Sequence, residues 1–189
     1  MEYVLKSGLT KLGEKLINKL VEKEIAIDLS HSNEQTFFDI INMCKTLKQN
    51  GKNPIVIASH SNVKEICDVP RNLTNKQLLA IKDLNGIVGI VGIKNFCKIS
   101  ENLKEDFEKD YISHINYVRE LFGGVDNIGV ATDDMSYYKV DKRYYKKLNI
   151  YRIEEVSYKI NQLWLDNKYS KEEIEKIMES NMKKKIIKS

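Results

Sequence analysis

Ile25-Ala26-Ile27-Asp28-Leu29 followed by Ser30-His31-Ser32-Asn33, and Pro54-Ile55-Val56-Ile57-Ala58 followed by Ser59-His60-Ser61-Asn62, are two passes of one plan. Each is a short apolar run that ends in a polar cluster containing histidine. A run of that length, rich in β-branched residues and apolar on both faces, reads as a strand buried in a parallel sheet. Parallel strands need a crossover of a dozen or more residues between them, usually a helix. The stretch from about Glu34 to Gln49 and on through Asn50-Gly51-Lys52-Asn53 fills that role, with a helix and then a turn.

Outward from this pair the alternation continues. On the N-terminal side, Thr10 precedes Leu12, Leu16, Ile17, Leu20 and Val21, which recur at helical spacing among Lys and Glu. On the C-terminal side, Thr74 to Leu84 predicts a helix stopped by Asn85-Gly86, and Ile87-Val88-Gly89-Ile90-Val91 predicts a third strand. A fourth cycle pairs a helix near Leu103–Leu121 with the strand Asn127-Ile128-Gly129-Val130-Ala131, ending at Thr132-Asp133-Asp134. Strands alternating with helices imply an α/β fold with helices packed outside a parallel sheet.

Past Asp134 the pattern changes to an aromatic, basic loop from Tyr137-Tyr138 to Tyr144-Tyr145. Two helices follow, near Ile153–Asn167 and Lys171–Lys185, the second opened by a Ser170/Glu173 capping box. Pro54 and Pro70 are the only prolines, and no Ser- or Gly-rich linker divides the chain. The 189 residues therefore read as a single unit, with βα cycles over about 9–134 and C-terminal helices over about 152–187.

Composition narrows the function classes. Hydrophobic residues at 42% and charged residues at 31% describe a folding, water-soluble chain rather than a disordered or lipid-embedded one. The net charge of +4 owes much to Lys183-Lys184-Lys185 and Lys188. With no aromatic interleaving or recognition motif beside them, these are a solvated helix end, and nucleic acid is not an expected partner. No apolar run approaches the ~20 residues of a membrane span, and the start, Met1 to Lys6, lacks a signal-peptide core. Cys44, Cys67 and Cys97 are odd in number and form no C-x-x-C pair, which suits free thiols in a reducing cytoplasm.

The chemistry should lie just beyond the C-terminal ends of the strands, where α/β sheets and (β/α)8 barrels alike build their sites. The residues there are Asp28 and His31, Ser59 and His60, and Asp133 with Asp134. Neighbouring parallel strands lie about 4.8 Å apart, so imidazoles at equivalent ends can converge on one zinc-class ion. A carboxylate two strands along, such as Asp133, can face that ion across the mouth and move protons.

Gly8-Leu9-Thr10 with Gly13, Ile27-Asp28-Leu29-Ser30-His31, the run from Pro54 to Asn62, and Cys67 followed by Arg71-Asn72-Leu73 are similar, in order and spacing, to the successive motifs of the membrane dipeptidases, or renal-dipeptidase-like peptidases. The similarity continues through His114-Ile115 to the strand ending at Asp133. It implies a zinc-dependent, TIM-type (β/α)8-barrel hydrolase that cleaves dipeptides through a metal-bound hydroxide, with this chain as the C-terminal half: four βα units plus two helices. It implies that His31 and His60 bind one zinc of a pair, that Arg71 holds the substrate carboxylate through its bidentate fork, and that Asp133 assists proton transfer.

The match has gaps. The family's His-x-Asp pair and bridging glutamate have no counterpart in the chain, whose third histidine, His114, corresponds to a family position without a metal role. After the fourth strand Asp133-Asp134-Met135-Ser136 departs from the family pattern of two acids and a glycine. The chain alone is therefore expected to be inactive and to work with a complementary N-terminal half or a second copy of itself. Two other readings stand beside this one: a non-catalytic remnant or subunit, and another amidohydrolase-like metal hydrolase. Half a barrel would also leave strand faces bare, so Val56, Ile87, Val91 and Ile128 are expected to lack cover on at least one side.

Overall fold

Helices begin where a Thr, Asn or Ser side chain can close the first turn. The computed structural model of the chain describes residues 7–97, 107–133, 161–162, 166 and 168–186. Thr10 accepts from the Gly13 amide at 3.1 Å and opens α1 (Lys11–Glu22). Asn33 accepts from the Thr36 amide at 2.8 Å and opens α2 (Glu34–Gln49). Thr74 and Gln77 form a capping box on α3 (Asn75–Asp83). Each cap satisfies an amide that the helix itself leaves unpaired. The stops are equally local: Glu24 and Asn85 take left-handed backbones just past α1 and α3, and the next amides, of Ile25 and Gly86, bond back to Leu20 and Ile81.

Between these helices run β1 (Ile27–Asp28), β2 (Val56–Ala58), β3 (Ile87–Val91) and β4 (Ile128–Ala131), all parallel, in the spatial order β1-β2-β3-β4. β1 and β2 are shorter than the apolar runs that signal them. Pairing nevertheless reaches further, because the amides of Ile27 and Leu29 bond to the carbonyls of Ile55 and Ile57 at 2.8 Å. The single-turn helix α4 (Lys94–Cys97) was not expected from the sequence. α5 (Phe107–Phe122) matches the expected helix near Leu103–Leu121 over its described part.

The last helix, α6, runs Lys171–Glu175, continues as a π-helical segment Lys176–Ser180 and ends as Asn181–Ile186. Ser170 and Glu173 form its expected capping box. Glu173 also accepts from Arg119 of α5, at 2.7 Å from Nη2, while the Arg119 guanidinium lies 4.4 Å from the Tyr169 ring centre. Buried Asn181 donates to the carbonyls of Val125 and Ile128, fixing α6 against the start of β4. The expected helix near Ile153–Asn167 and the loop from Asp134 to Tyr145 fall outside the described residues, apart from 161, 162 and 166.

One expectation fails. Val56, Ile87, Val91 and Ile128 are all buried within this chain. The reason is cover from several elements: α3 and α5 pack on β3, and α6 crosses β3 and β4, bringing Met182 Cε to 3.2 Å from where a Cβ on Gly129 would stand. The large apolar residues left in water are mostly elsewhere, notably Leu12 and Leu16 on α1 and Ile25 before β1, which are 77%, 57% and 52% exposed.

Candidate metal centre

The register Ile27↔Val56 and Asp28↔Ile57 brings the ends of β1 and β2 side by side. Past Leu29 the chain turns sharply, with Ser32 donating to the Leu29 carbonyl and His31 in the left-handed region at φ 69°. That turn swings the His31 ring toward His60. The ring centres are 4.7 Å apart, tilted by 56°, and the two Nε2 atoms approach to 2.6 Å. His31 is exposed and His60 half-buried, so both stay within reach of solvent.

Among the described residues, the non-glycine positions with positive φ are Glu24, His31, Asn85 and Asp133. Helix endings account for Glu24 and Asn85. His31 and Asp133, at φ 51°, instead lie beyond strand ends. A left-handed backbone costs an L-residue about 1–2 kcal/mol, and such strain tends to collect at functional positions.

Beneath the histidines lies a chain of hydrogen bonds. Asp28 Oδ1 accepts from the amides of Ser30 and Ser59, each at 3.0 Å, and Oδ2 accepts from Ser59 Oγ at 2.5 Å. Ser59 Oγ is in turn 2.7 Å from His60 Nδ1. Ser30 Oγ accepts from the His60 amide at 3.1 Å. Although solvent reaches Asp28, partial burial pushes its carboxyl upward, and the bonds from Ser59 and Ser30 together outweigh that and hold it below the usual aspartate value.

A second polar layer shapes the loop after β2. The buried Asn62 side chain caps the end of β3, accepting from the Val91 amide at 2.8 Å and donating to the Val91 carbonyl at 3.1 Å. Buried Asn72 donates to the carbonyls of Cys67 and Phe96, both at 2.8 Å. His114, buried on α5, accepts from the Val63 amide through Nδ1, and burial lowers its pKa to about 4. Gly89 lets the Ser59 carbonyl pass over β3, since a Cβ there would stand 2.3 Å from that oxygen. This layer carries the loop to Arg71, which shares with His31, Ser61 and Lys64 the wall of an open cleft of about 590 Å3.

The structure thus brings His31 and His60 together and puts Arg71 on the wall of a cleft that His31, but not His60, also lines. Asp133 follows β4, two strands from His60, and is not part of the cleft wall. The two imidazoles suit a zinc-class ion: neutral nitrogens bound at about 2.0–2.1 Å in a tetrahedral site stand about 3.3 Å apart, which these rings reach by parting by less than an ångström. Among the described residues no cluster of three or more His, Cys, Asp and Glu side chains is placed to hold a metal, so the pair alone does not complete a site.

The sequence profile described as membrane dipeptidase (peptidase family M19) matches residues 2–188. The chain belongs to the membrane dipeptidase family. An uncharacterised protein of the pqqA 5′ region in Klebsiella pneumoniae is 33% identical over 127 residues, covering 67% of this chain and 44% of that protein. The fold is similar to that of dipeptidase AC, a metallopeptidase of family M19, with TM-score 0.75 and 21% identity over 95% of this chain and 48% of that one. It is also similar to a metallopeptidase from Rhodobacter sphaeroides solved with a phosphinate mimic of the dipeptide L-Ala-D-Ala, with TM-score 0.72 and 21% identity over 95% and 47% of the two chains. The chain spans about half the length of these relatives. Among its described residues no helix is long and apolar enough to cross a membrane.

Proposed function

We propose that this chain supplies part of a zinc-dependent dipeptidase site, with His31 and His60 as metal ligands, Arg71 as the anchor for the substrate carboxylate and Asp133 as the group that moves a proton. The observation that carries this reading is the convergence of the two Nε2 atoms at the ends of adjacent parallel strands. A zinc ion held there would supply Lewis acidity and a water acidified toward neutral pKa. The chain's own residues do the rest. Arg71 opens onto the same cleft as His31, so a dipeptide whose carboxylate meets the guanidinium lies along the metal side of the cleft. Asp133, beyond β4 at the same end of the sheet, would assist proton transfer.

The architecture we infer is the C-terminal half of a (β/α)8 barrel, with residues 1–189 as one partial domain. Strands that follow one another in space as they do in sequence are what a barrel sector requires. The remaining ligands would come from a complementary N-terminal half, which would cover β1 and the exposed Leu12, Leu16 and Ile25. The dipeptide bound in mimic form by the Rhodobacter sphaeroides relative supports substrates with a D-residue on the carboxyl side. The reduced, buried state of Cys44, Cys67 and Cys97 fits a cytoplasmic setting.

A second reading, a non-catalytic subunit that holds at most one zinc weakly, is favoured by the lack of a third ligand among the described residues. Metal titration of the purified chain, with L-Ala-D-Ala hydrolysis measured in parallel, separates the two. The proposal expects zinc uptake that disappears in His31→Ala and His60→Ala, and hydrolysis only once the complementary half is added. Zinc uptake indifferent to both substitutions would refute it, and uptake without hydrolysis in the complemented protein would favour the subunit.

A further inference from the structure

A histidine can present its Nε2 lone pair to a metal only if its proton sits on Nδ1, and in a neutral imidazole that choice is set by whatever Nδ1 touches. At His60, Nδ1 touches Ser59 Oγ, 2.7 Å away. A serine hydroxyl has one hydrogen to give. Three partners lie within reach of it: Asp28 Oδ2 at 2.5 Å, His60 Nδ1 at 2.7 Å and, far more weakly, Ser30 Oγ at 3.5 Å. At neutral pH an aspartate is ionised and can only accept, so the bond between Ser59 and Asp28 must take the hydroxyl hydrogen. Toward His60, Ser59 Oγ is then an acceptor, and His60 Nδ1 must be the donor.

We propose that Asp28 and Ser59 are positioning residues that fix His60 as its Nδ1–H tautomer and so aim an unprotonated Nε2 at the point shared with His31. This rests on the metal-site reading for its purpose but not for its geometry. In the metal-free protein it assigns the short contact between the rings as well: His31 Nε2–H donates to His60 Nε2. The carboxylate is itself held in orientation, because the Ser30 and Ser59 amides, which can only donate, both bond to Oδ1 and leave Oδ2 to face the serine hydroxyl.

That orientation makes one substitution decisive. In Asp28→Asn, the two amides keep the carbonyl oxygen at the Oδ1 place, so the NH2 group takes the place of Oδ2. It donates to Ser59 Oγ, whose hydrogen now turns to His60 Nδ1. The polarity of the whole chain of bonds reverses, and His60 becomes the Nε2–H tautomer with no lone pair for a metal. Ser59→Ala removes the link without reversing it, and Ser59→Thr keeps the hydroxyl.

With only three histidines in the chain, long-range ¹H–¹⁵N spectra of the chelator-treated, ¹⁵N-histidine-labelled protein at about pH 8, where imidazoles are neutral, resolve each tautomer, and His60→Gln assigns the signal. The expected result is unprotonated Nε2 at His60 in the unsubstituted chain and in Ser59→Thr, Nε2–H in Asp28→Asn, and a mixture of tautomers in Ser59→Ala. Zinc affinity should fall about 10–100-fold in Asp28→Asn and Ser59→Ala. Nε2–H at His60 in the unsubstituted chain, or no change of tautomer in Asp28→Asn, overturns the proposal. Should Asp28→Asn fail to fold, Ser59→Ala compared with Ser59→Thr decides the matter: a mixture in the first and a single Nδ1–H tautomer in the second upholds the proposal, and identical spectra overturn it. Tautomers as expected, in a chain that takes up no zinc even when complemented, would uphold the relay and sink the metal reading.

Discussion

The chain builds two polar layers around the loop that follows β2, one open to water and one sealed. In the open layer, Asp28, Ser59, His60 and His31 form a string that ends at solvent, with His31 in a strained backbone. In the sealed layer, Asn62, Asn72 and His114 bond chiefly to backbone groups and hold the loop between β2 and α3. A histidine does not by itself tell them apart, since each layer contains one and each draws on the motif run from Ser59 to Asn62. What separates them is the partner: side chains bonded to main chain keep shape, and side chains bonded in series to one another and then to water are left available for chemistry.

Breaking the sealed layer should cost the most. Asn62→Ala strips the partner from the Val91 amide and leaves the Val91 carbonyl only the weak Cys97 thiol donor, both in the core, and is expected to lower unfolding free energy by about 2–4 kcal/mol, read from urea midpoints. His114 sharpens the contrast through pH. Its folded pKa of about 4 lies below the unfolded value of about 6.5, so the unfolded chain takes up the proton more readily. Its contribution to stability is therefore complete above about pH 6.5, falls as pH drops toward 4, and amounts to at most about 3 kcal/mol. In His114→Gln, which keeps an acceptor for the Val63 amide, stability should be lower at pH 7 but should decline less between pH 7 and 4.5.

The open layer should respond in the opposite sense. His31→Gly relieves the left-handed backbone and is expected to raise stability by about 1 kcal/mol, measured by thermal or urea melts, while abolishing zinc uptake. A loss of stability of similar size would place His31 in the structural layer instead.

Much of the fold was legible in the sequence. Thr10, Thr74 and Ser170 announce their helices because a cap is a contact within three residues, and sequence shows such contacts directly. Ile87–Val91 was readable to the residue because a fully buried strand has no polar positions to blur it. α4 escaped because four residues do not complete two helical turns, and its pattern cannot repeat. Asp28 and Ser59 stood out as strand-end polar residues, but the bond between them spans β1 to β2, and spacing along the chain carries no sign of it. The backbone reversal at His31 was equally hidden, since Ser-His-Ser does not advertise a positive φ as Asn-Gly does. Asn62 and Asn72 were read as parts of functional motifs, whereas their bonds show that they hold the loop.

The order β1-β2-β3-β4 has a consequence for how the protein comes into being. Each strand takes its place beside the one synthesised just before it: Ile57 beside the Asp28 of β1, Ile87 beside Ile57, Ile128 beside Val88. Among the described residues no strand pairs with one from the far end of the chain, so loop closure stays short from β1 to β4 and these strands can be laid down one βα unit at a time behind the ribosome. At each pause before β4 the newest strand presents a fresh edge, and the next strand to emerge is the one that covers it.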